Sequence, residues 1–180
     1  MAFAIADFRA RLQYSGARSN QFEVILPFPA VSGGISQTQQ FSFMCKSASL
    51  PASDLGSIKV PYFGRTINVA GDRSFPEGWQ VTVINDEDYA LRDVFEQWSD
   101  ALNGHLSNIR DPAARFTNDY QVDATILHYG KTGDVIKEYD MIGVWPSTIS
   151  AMDVAWDTND TIQDFQVTLQ YQWWSARTTT

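Results

Sequence analysis

The sequence predicts a mainly β fold in which two packed antiparallel sheets form a barrel or sandwich flanked by one α-helix. Three observations predict it: about seven segments alternate apolar and polar residues, one segment carries a helical apolar stripe, and turn residues separate them. The chain has 180 residues, so a single domain over 1–180 can bury a sizeable core.

The first two strands are predicted from alternation in the first third of the chain. Residues 20–28 place an apolar side chain at every second position, and the prolines at 27 and 29 end that strand. Residues 38–47 alternate in the same way, which predicts a second strand with Phe41, Phe43 and Cys45 facing inward.

Residues 48–76 are predicted to form an extended, hairpin-like excursion. They combine prolines and glycines with short β-prone pieces, Ile58–Tyr62 and Arg65–Val69. A connection of this length is uncommon within a compact domain, and such loops are usually functional or reach a partner.

The centre of the chain predicts a strand followed by the one strong helix. Trp79, Val81 and Val83 define the strand. The helix is expected over 86–102, capped by Asn85 or Asp86 and stopped at Asn103-Gly104. Acids fill its first turn, where they suit the positive end of the helix dipole. Its apolar stripe consists of Leu91, Val94, Phe95, Trp98 and Leu102.

The last third predicts a hairpin and a long final strand. Residues 119–129 and 135–144 pair across a tight turn at 130–133, and Trp145-Pro146 ends the second strand. The final strand turns one face inward and presents neutral amides and hydroxyls on the other, which suits a wet cavity or a neighbouring chain. The inward residues are Phe165, Val167, Leu169, Tyr171 and Trp173, and the outward ones are Gln166, Thr168, Gln170 and Gln172. The tail, 176–180, is expected to be flexible.

The charge balance argues against direct nucleic-acid binding. The net charge is −8, from 21 acids and 13 Lys and Arg, whereas binding to phosphates draws its energy from cations. An acidic protein can still line a passage through which DNA slides, because repulsion prevents sticking. Charged residues are only 19% of the chain, which indicates either a surface covered by partners or a large β core.

No residue pattern predicts catalysis, a cofactor or a metal site. Cys45 is the only cysteine, so it cannot form an intrachain disulfide, and its register favours a buried inert thiol over a nucleophile paired with His128. His105 follows a helix stop. The aspartates at 153, 157, 160 and 164 lack the glycine and glutamate of a calcium loop, so they are read as turn residues. No secretory signal and no membrane-spanning run are recognised.

Several segments, taken in order, resemble the tail tube proteins of contractile-tailed bacteriophages. The resemblance spans about residues 20–100, and the later strands agree in pattern. The matching segments are Asn20–Val24, Ser49–Pro51, Ile58–Tyr62 with Gly64-Arg65, and Phe75–Trp98.

The resemblance implies a barrel of two packed sheets flanked by a helix, six copies per ring, and rings stacked into a tube within a contractile sheath. The sheets of the six copies would join edge to edge around the lumen, and the 48–76 loop would reach a neighbouring subunit or ring. Implied partners are further copies, the sheath protein, a baseplate or tube initiator and a tail terminator. Viral DNA would pass through the lumen without specific binding, in a virion assembled in host cytoplasm, and no membrane is involved.

Two sets of residues are the candidate contacts. The predicted inter-subunit interface consists of Leu50, Pro51, Ile58, Val60, Tyr62, Arg65, Ile67 and Val69. The candidate sheath-facing helix surface consists of Asp86, Glu87, Asp88, Arg92 and Glu96.

Four alternatives remain open at this stage. The chain could form the inner tube of a headless injection machine, such as a bacteriocin or type VI-like system. It could be a tube initiator or baseplate component, although such proteins are usually longer. It could be a monomeric ligand-binding barrel, which would need an enclosed apolar pocket. A hydrolase using His128 or the aspartates is the remaining class.

Overall fold

A computed structural model describes residues 5–12, 14, 16–75 and 77–177 of the chain. The helices are α1 (Ile5–Arg11), α2 (Thr38–Met44), α3 (Ala90–Leu102) and α4 (Thr117–Tyr120). The strands are β1 (Phe22–Ile25), β2 (Cys45–Ala48), β3 (Asp54–Tyr62), β4 (Arg65–Ser74), β5 (Trp79–Ile84), β6 (Val122–Tyr129), β7 (Val135–Ile149), β8 (Asp164–Gln170) and β9 (Trp173–Arg177). No described helix is long and apolar enough to cross a membrane.

The strands form two antiparallel sheets, as the sequence predicted. The larger has seven strands in the order β1-β6-β7-β8-β5-β2, with β9 also paired to β7. The smaller contains β3 and β4 alone. The inward residues of the large sheet join one buried cluster with the stripe of α3. The described ladders do not join β1 to β2, the two ends of the strand order.

Strand β7 is longer than predicted and connects the two halves of the large sheet. Its first part pairs with β6 and β9, and its last part, from Trp145 to Ile149, pairs with β8. We expected Trp145-Pro146 to end this strand, and that prediction was wrong. Strand β6 has finished by this point, so this stretch of β7 has a neighbour on one side in the described ladders, a position that tolerates proline.

The predicted strand over 38–47 is mostly a helix. Helix α2 covers Thr38–Met44, and β2 begins only at Cys45. Phe41 is buried with its ring edge-on to Phe28 at 5.8 Å and near Phe95 at 5.9 Å. Phe43 is 77% exposed, because residues two apart in a helix lie on different sides. The apparent period of two therefore did not mark a common face.

Helix α3 begins four residues later than the predicted start at 86. The three acids Asp86, Glu87 and Asp88 lie in the preceding turn, and the carboxylate of Asp88 accepts a hydrogen bond of 3.0 Å from the backbone N–H of Ala90. Tyr89 has a left-handed φ of +56°, which prevents the helix from starting earlier. The predicted stripe is confirmed, with Leu91, Val94, Phe95 and Trp98 buried and Leu102 partly buried.

The predicted final strand is split into β8 and β9 along the same edge of β7. Gln170 pairs with Trp145, and Trp173 pairs with Ile142, so β8 and β9 lie one after the other along the same side of β7. Phe165, Val167, Leu169 and Tyr171 are buried as predicted, whereas Trp173 is 52% exposed. The alternation of buried and exposed residues along β8 and β9 changes opposite Gly143, a bulge residue of β7 with φ +69°.

The start of the predicted flexible tail is part of the sheet. Ala176 and Arg177 belong to β9, and the guanidinium of Arg177 lies 2.9 Å from the carboxylate of Asp140. Residues 178–180 of that tail lie outside the described residues.

Candidate assembly surfaces

Strands β3 and β4 form a hairpin that we call the arm. Its pairs run from Asp54↔Ser74 to Tyr62↔Arg65, with a register shift between Leu55 and Ser57. The arm follows β2 and precedes β5 in the chain, and its ladder is separate from the large sheet. Its two-residue turn has positive φ at both central residues, +41° at Phe63 and +83° at Gly64, as in a type I′ turn.

Six of the eight predicted interface residues lie on one face of the arm. The pairs Ile58↔Val69, Val60↔Ile67 and Tyr62↔Arg65 place them there, because directly paired residues share a face. We call this surface, Ile58, Val60, Tyr62, Arg65, Ile67 and Val69, the apolar face of the arm. The opposite face carries Ser57, Lys59, Pro61, Thr66, Asn68 and Ala70. Leu50 and Pro51 lie before the arm, between β2 and β3.

The apolar face is left uncovered by the residues that the structure describes. Every residue of β3 and β4 is exposed except Gly71, which is partly buried. A two-stranded hairpin is marginally stable alone, and contiguous exposed apolar surface usually marks an interaction site. The arm therefore has the properties of an element that is stabilised by another molecule.

The base of the arm is fixed to the body by aromatic hydrogen-bond donors. The indole N–H of Trp174 donates to the carbonyl of Ala52 at 2.9 Å, and the Tyr171 hydroxyl donates to the same oxygen at 3.4 Å. The indole N–H of Trp79 donates to the carbonyl of Ser49 at 2.9 Å. No local sequence pattern predicted these contacts. The tryptophans were visible as large side chains with one donor each, but the acceptors were not.

Burial affects the protonation of a hydroxyl group at the base of the arm. It raises the pKa of the Tyr171 hydroxyl, and the nearby charge of Glu77 raises it further. The hydroxyl therefore keeps its proton and remains a donor to the arm.

The predicted sheath-facing residues are divided between two environments. Asp86, Glu87, Asp88 and Glu96 are exposed. Arg92 instead joins α3 to the body: it pairs with Glu96, donates to the carbonyl of Ser150 at 2.8 Å and lies over the Phe165 ring at 5.3 Å. Its main contacts are thus within the fold.

The two halves of the large sheet present outward faces of different charge. Between β5 and β8 the face is neutral and polar, and the Gln166 amide donates to the Gln80 side chain at 3.3 Å. We call the set Gln80, Thr82, Gln166, Thr168 and Gln170 the neutral face. The outward face of β1, β6 and β7 carries Glu23, Asp123, Glu138 and Asp140.

No enzyme-like site is assembled from the candidate side chains. The Nε2–H of His128 donates to the carbonyl of Arg18 at 2.7 Å, and the Cys45 thiol donates to the carbonyl of Ser47. Burial raises the pKa of the Cys45 thiol to about 12, which keeps it protonated. The described residues contain no group of three His, Cys, Asp or Glu side chains placed to hold a metal ion.

Comparison with known proteins gives a consistent result. A family model described as "Phage tail tube protein" matches residues 17–177. The tail tube protein gp19 of Enterobacteria phage T4 is 35% identical over 96% of this chain and 94% of its own. The tail tube protein of Serratia phage KSP90 is 25% identical over 93% of both chains.

Solved structures share the fold at low sequence identity. A chain of the PVC sheath-tube complex of an extracellular contractile injection system matches with a TM-score of 0.57 and 13% identity, covering 99% of this chain and 100% of that one. A chain of the anti-feeding prophage baseplate matches with a TM-score of 0.60 and 13% identity, covering 91% and 96%.

Proposed function

The chain belongs to the phage tail tube protein family, and we propose on that basis that it is the repeating subunit of the inner tube of a contractile phage tail. It is a structural protein and not an enzyme, as its relatives are tail tube proteins. The observation that carries the proposal is the arm, whose apolar face is exposed among the described residues of one chain. Repeated copies supply that partner.

We propose that six copies close into a ring, as the family resemblance implies. The free edges of the large sheet carry unpaired backbone N–H and C=O groups, which can pair with other chains and cause aggregation. Pairing these edges between copies removes that risk. We also propose that the large sheet closes into a β-barrel by the approach of β1 to β2, because these are the first and last strands in its strand order. Each contact is then repeated around the ring, so a weak interface becomes a stable one.

The neutral face is proposed to line the lumen. It contains amides and hydroxyls, which stay hydrated, and the nearby Lys46 is paired with Asp164. The β2 and β5 strands of this half also lead into the arm, so the wall would continue towards the next ring. Viral DNA would pass during ejection without specific binding, because the neutral face contains only amides and hydroxyls and no cation to hold phosphates.

The outer partners are proposed from the same resemblance. The sheath protein would contact the exposed acids before and along α3, namely Asp86, Glu87, Asp88 and Glu96. A baseplate or initiator would start the tube and a terminator would end it. The subunit would be assembled in host cytoplasm and function in the virion.

Electron microscopy of the purified chain at high concentration tests this function. Rings or hollow tubes with sixfold symmetry are expected. Strict monomers at every concentration, also when a baseplate initiator is added, would contradict it and favour the monomeric ligand-binding barrel.

The inner tube of a headless injection machine is the second candidate. The fold shared with chains of two contractile injection assemblies supports it. The identity of 35% to a phage tail tube protein favours the phage. Particles purified with the tube would decide between them: tubes attached to DNA-filled capsids support the phage, and free sheathed tubes support the machine.

A further inference from the structure

The chain contains a single Asn-Gly pair, Asn103-Gly104, which ends α3 and is left unassigned by the proposed function. In such a pair the glycine nitrogen can attack the asparagine side chain easily, because glycine has no Cβ to hinder the approach. The Gly104 nitrogen loses its proton to hydroxide and bonds to Cγ of Asn103. The Cγ–Nδ2 bond then breaks, and the nitrogen takes a proton from water and leaves as ammonia. Water opens the resulting succinimide ring to aspartate or isoaspartate.

The close packing of the turn after α3 explains why glycine stands at position 104. A Cβ added there would lie 2.8 Å from the hydroxyl oxygen of Ser107 and 3.2 Å from the carbonyl oxygen of Ile109. Any larger residue would therefore have to displace Ser107 or the backbone of the turn. We call residues 103–109 the closing turn. The reactive pair is thus built into the closing turn by its own geometry.

Hydrogen bonds hold both reacting groups of the pair in the folded chain. The Gly104 N–H, which must lose its proton, donates to the carbonyl of Ile109 at 3.0 Å. The Asn103 side-chain amide, which must turn its carbon towards that nitrogen, donates to Oδ1 of Asn108 at 2.7 Å. The N–H of Asn108 also donates to the carbonyl of Gly104 at 2.8 Å. Deamidation therefore has to break bonds that the fold makes at both groups.

The closing turn also positions the residues that complete the end of α3. The Nε–H of Arg110 donates to the carbonyl of Leu102 at 3.3 Å, and the backbone N–H of Asp111 donates to the carbonyl of Ala101 at 3.0 Å. These carbonyls belong to the last turn of the helix, where acceptors lack partners within the helix. Opening of the closing turn would therefore loosen the end of α3 as well.

We propose that Asn103 is a deamidation site that the closing turn keeps unreactive in the folded subunit. The reaction then proceeds only in the fraction of molecules in which the turn has opened locally. Conversion to aspartate replaces the donor to Asn108 by a carboxylate that repels the Asn108 oxygen. It also places a negative charge at the C-terminal end of α3, where the helix dipole disfavours it. Each conversion therefore favours further opening of the turn.

Peptide mass spectrometry of the purified full-length chain measures the reaction. At mildly alkaline pH, conversion at Asn103 should be slower by about tenfold or more in the native monomer than in denaturant, because the native turn is rarely open. Asn159 lies at an exposed position before Asp160 and serves as the internal reference, since its rate should change much less on unfolding. Equal rates at Asn103 in the native and unfolded chain, after correction by Asn159, would overturn the proposal.

Two substitutions of Asn108 test the role of the closing turn. Asn108 has a left-handed φ of +54°, which glycine adopts without strain. Asn108→Gly removes the acceptor for the Asn103 amide, so native conversion at Asn103 should become about fivefold faster or more. Asn108→Asp keeps an acceptor oxygen and should remain as slow as the wild type. A wild-type rate in Asn108→Gly would show that the side-chain bond does not protect Asn103.

The product of the reaction can be tested directly by substitution. Asn103→Asp should speed amide hydrogen exchange over residues 99–111, because it removes a donor and adds a charge at the end of α3. Asn118→Asp makes the same change of charge at an exposed position of α4 and should leave that exchange unaltered. Unchanged exchange in Asn103→Asp would contradict the predicted opening of the turn. All these measurements use dilute monomer, so their failure would leave the proposed function untouched.

Discussion

The indole N–H of Trp98 donates a hydrogen bond of 3.0 Å to the backbone carbonyl of Tyr120. Trp98 lies on the buried stripe of α3, and Tyr120 ends α4, just before β6. One side chain thus fills the core and also satisfies a backbone acceptor where the helical and sheet layers meet. The ring stacks near Phe95 at 6.4 Å and meets Phe28 edge-on at 6.1 Å.

Trp98→Ala should destabilise the subunit by about 3–5 kcal/mol, because it removes a fully buried ring and leaves a cavity. Trp98→Phe should cost about 1–3 kcal/mol, since the Tyr120 carbonyl loses its donor. Denaturant unfolding of dilute monomer measures both. Trp156→Ala is the control, because that side chain is fully exposed. Equal stability of Trp98→Ala and the control would show that the Trp98 ring does not support the core.

The arm should be dispensable for folding and necessary for assembly. Deleting or scrambling residues 56–70 should leave a folded monomer that forms no tubes, since these residues are exposed and the core lies elsewhere. A finer version is Val60→Asp with Ile67→Asp, compared with Lys59→Asp and Asn68→Asp on the opposite face. Circular dichroism and electron microscopy are the readouts. Tubes from the deletion variant would refute the role of the arm.

Trp174→Phe should loosen the base of the arm without unfolding the body. The change keeps an aromatic ring near Tyr139 but removes the shorter of the two hydrogen bonds to the Ala52 carbonyl and leaves the 3.4 Å bond from Tyr171. We expect faster amide hydrogen exchange over residues 49–54 and fewer tubes. Trp173→Phe is the control, because the Trp173 side chain is exposed and makes no described hydrogen bond. Unchanged exchange in Trp174→Phe would show that this bond does not hold the arm.

The sequence correctly predicted the strands and the helix in which the spacing of apolar residues matches the side that is buried. Trp79, Val81 and Val83 alternate because one side of β5 is buried, and the α3 stripe repeats at helical spacing for the same reason. The prediction of a strand containing Phe41 and Phe43 was wrong because the alternation of apolar and polar residues there was coincidental. Phe41 is buried by Phe28 and Phe95, partners that are distant in the chain and invisible to a local pattern.

The arm was predictable as an extended hairpin but not as a surface. Proline, glycine and β-prone pieces marked the arm, yet only the register Ile58↔Val69 places the apolar residues on one face. The bond between Trp174 and Ala52 spans most of the chain, so no local signal could reveal it.

Cys45 should resist thiol reagents in the native protein. Burial raises the pKa of its thiol from 9.0 to about 12, so near pH 9 the unfolded chain forms thiolate while the folded chain does not. Protons are then lost only on unfolding, and the free energy of unfolding should fall as pH rises through 9. Labelling with a chromogenic disulfide at that pH should be slow when native and fast in denaturant. Equal rates would contradict burial of the thiol.

Gly143→Ala should be more damaging than Gly133→Ala, although both glycines have positive φ, +69° and +87°. A methyl group at 133 meets nothing within 4 Å, so this change costs only the backbone strain of about 1–2 kcal/mol. At 143 a Cβ would lie 2.8 Å from Cγ of Gln172 and 3.1 Å from Oε1 of Gln121. Either the exposed Gln172 side chain or the bulge would have to move, and a shift of the bulge would disturb the passage of β7 between the two halves of the sheet. Thermal unfolding of the two variants side by side measures the difference. If Gly143→Ala melted at or above the temperature of Gly133→Ala, the close approach at the bulge would not be a constraint on the fold.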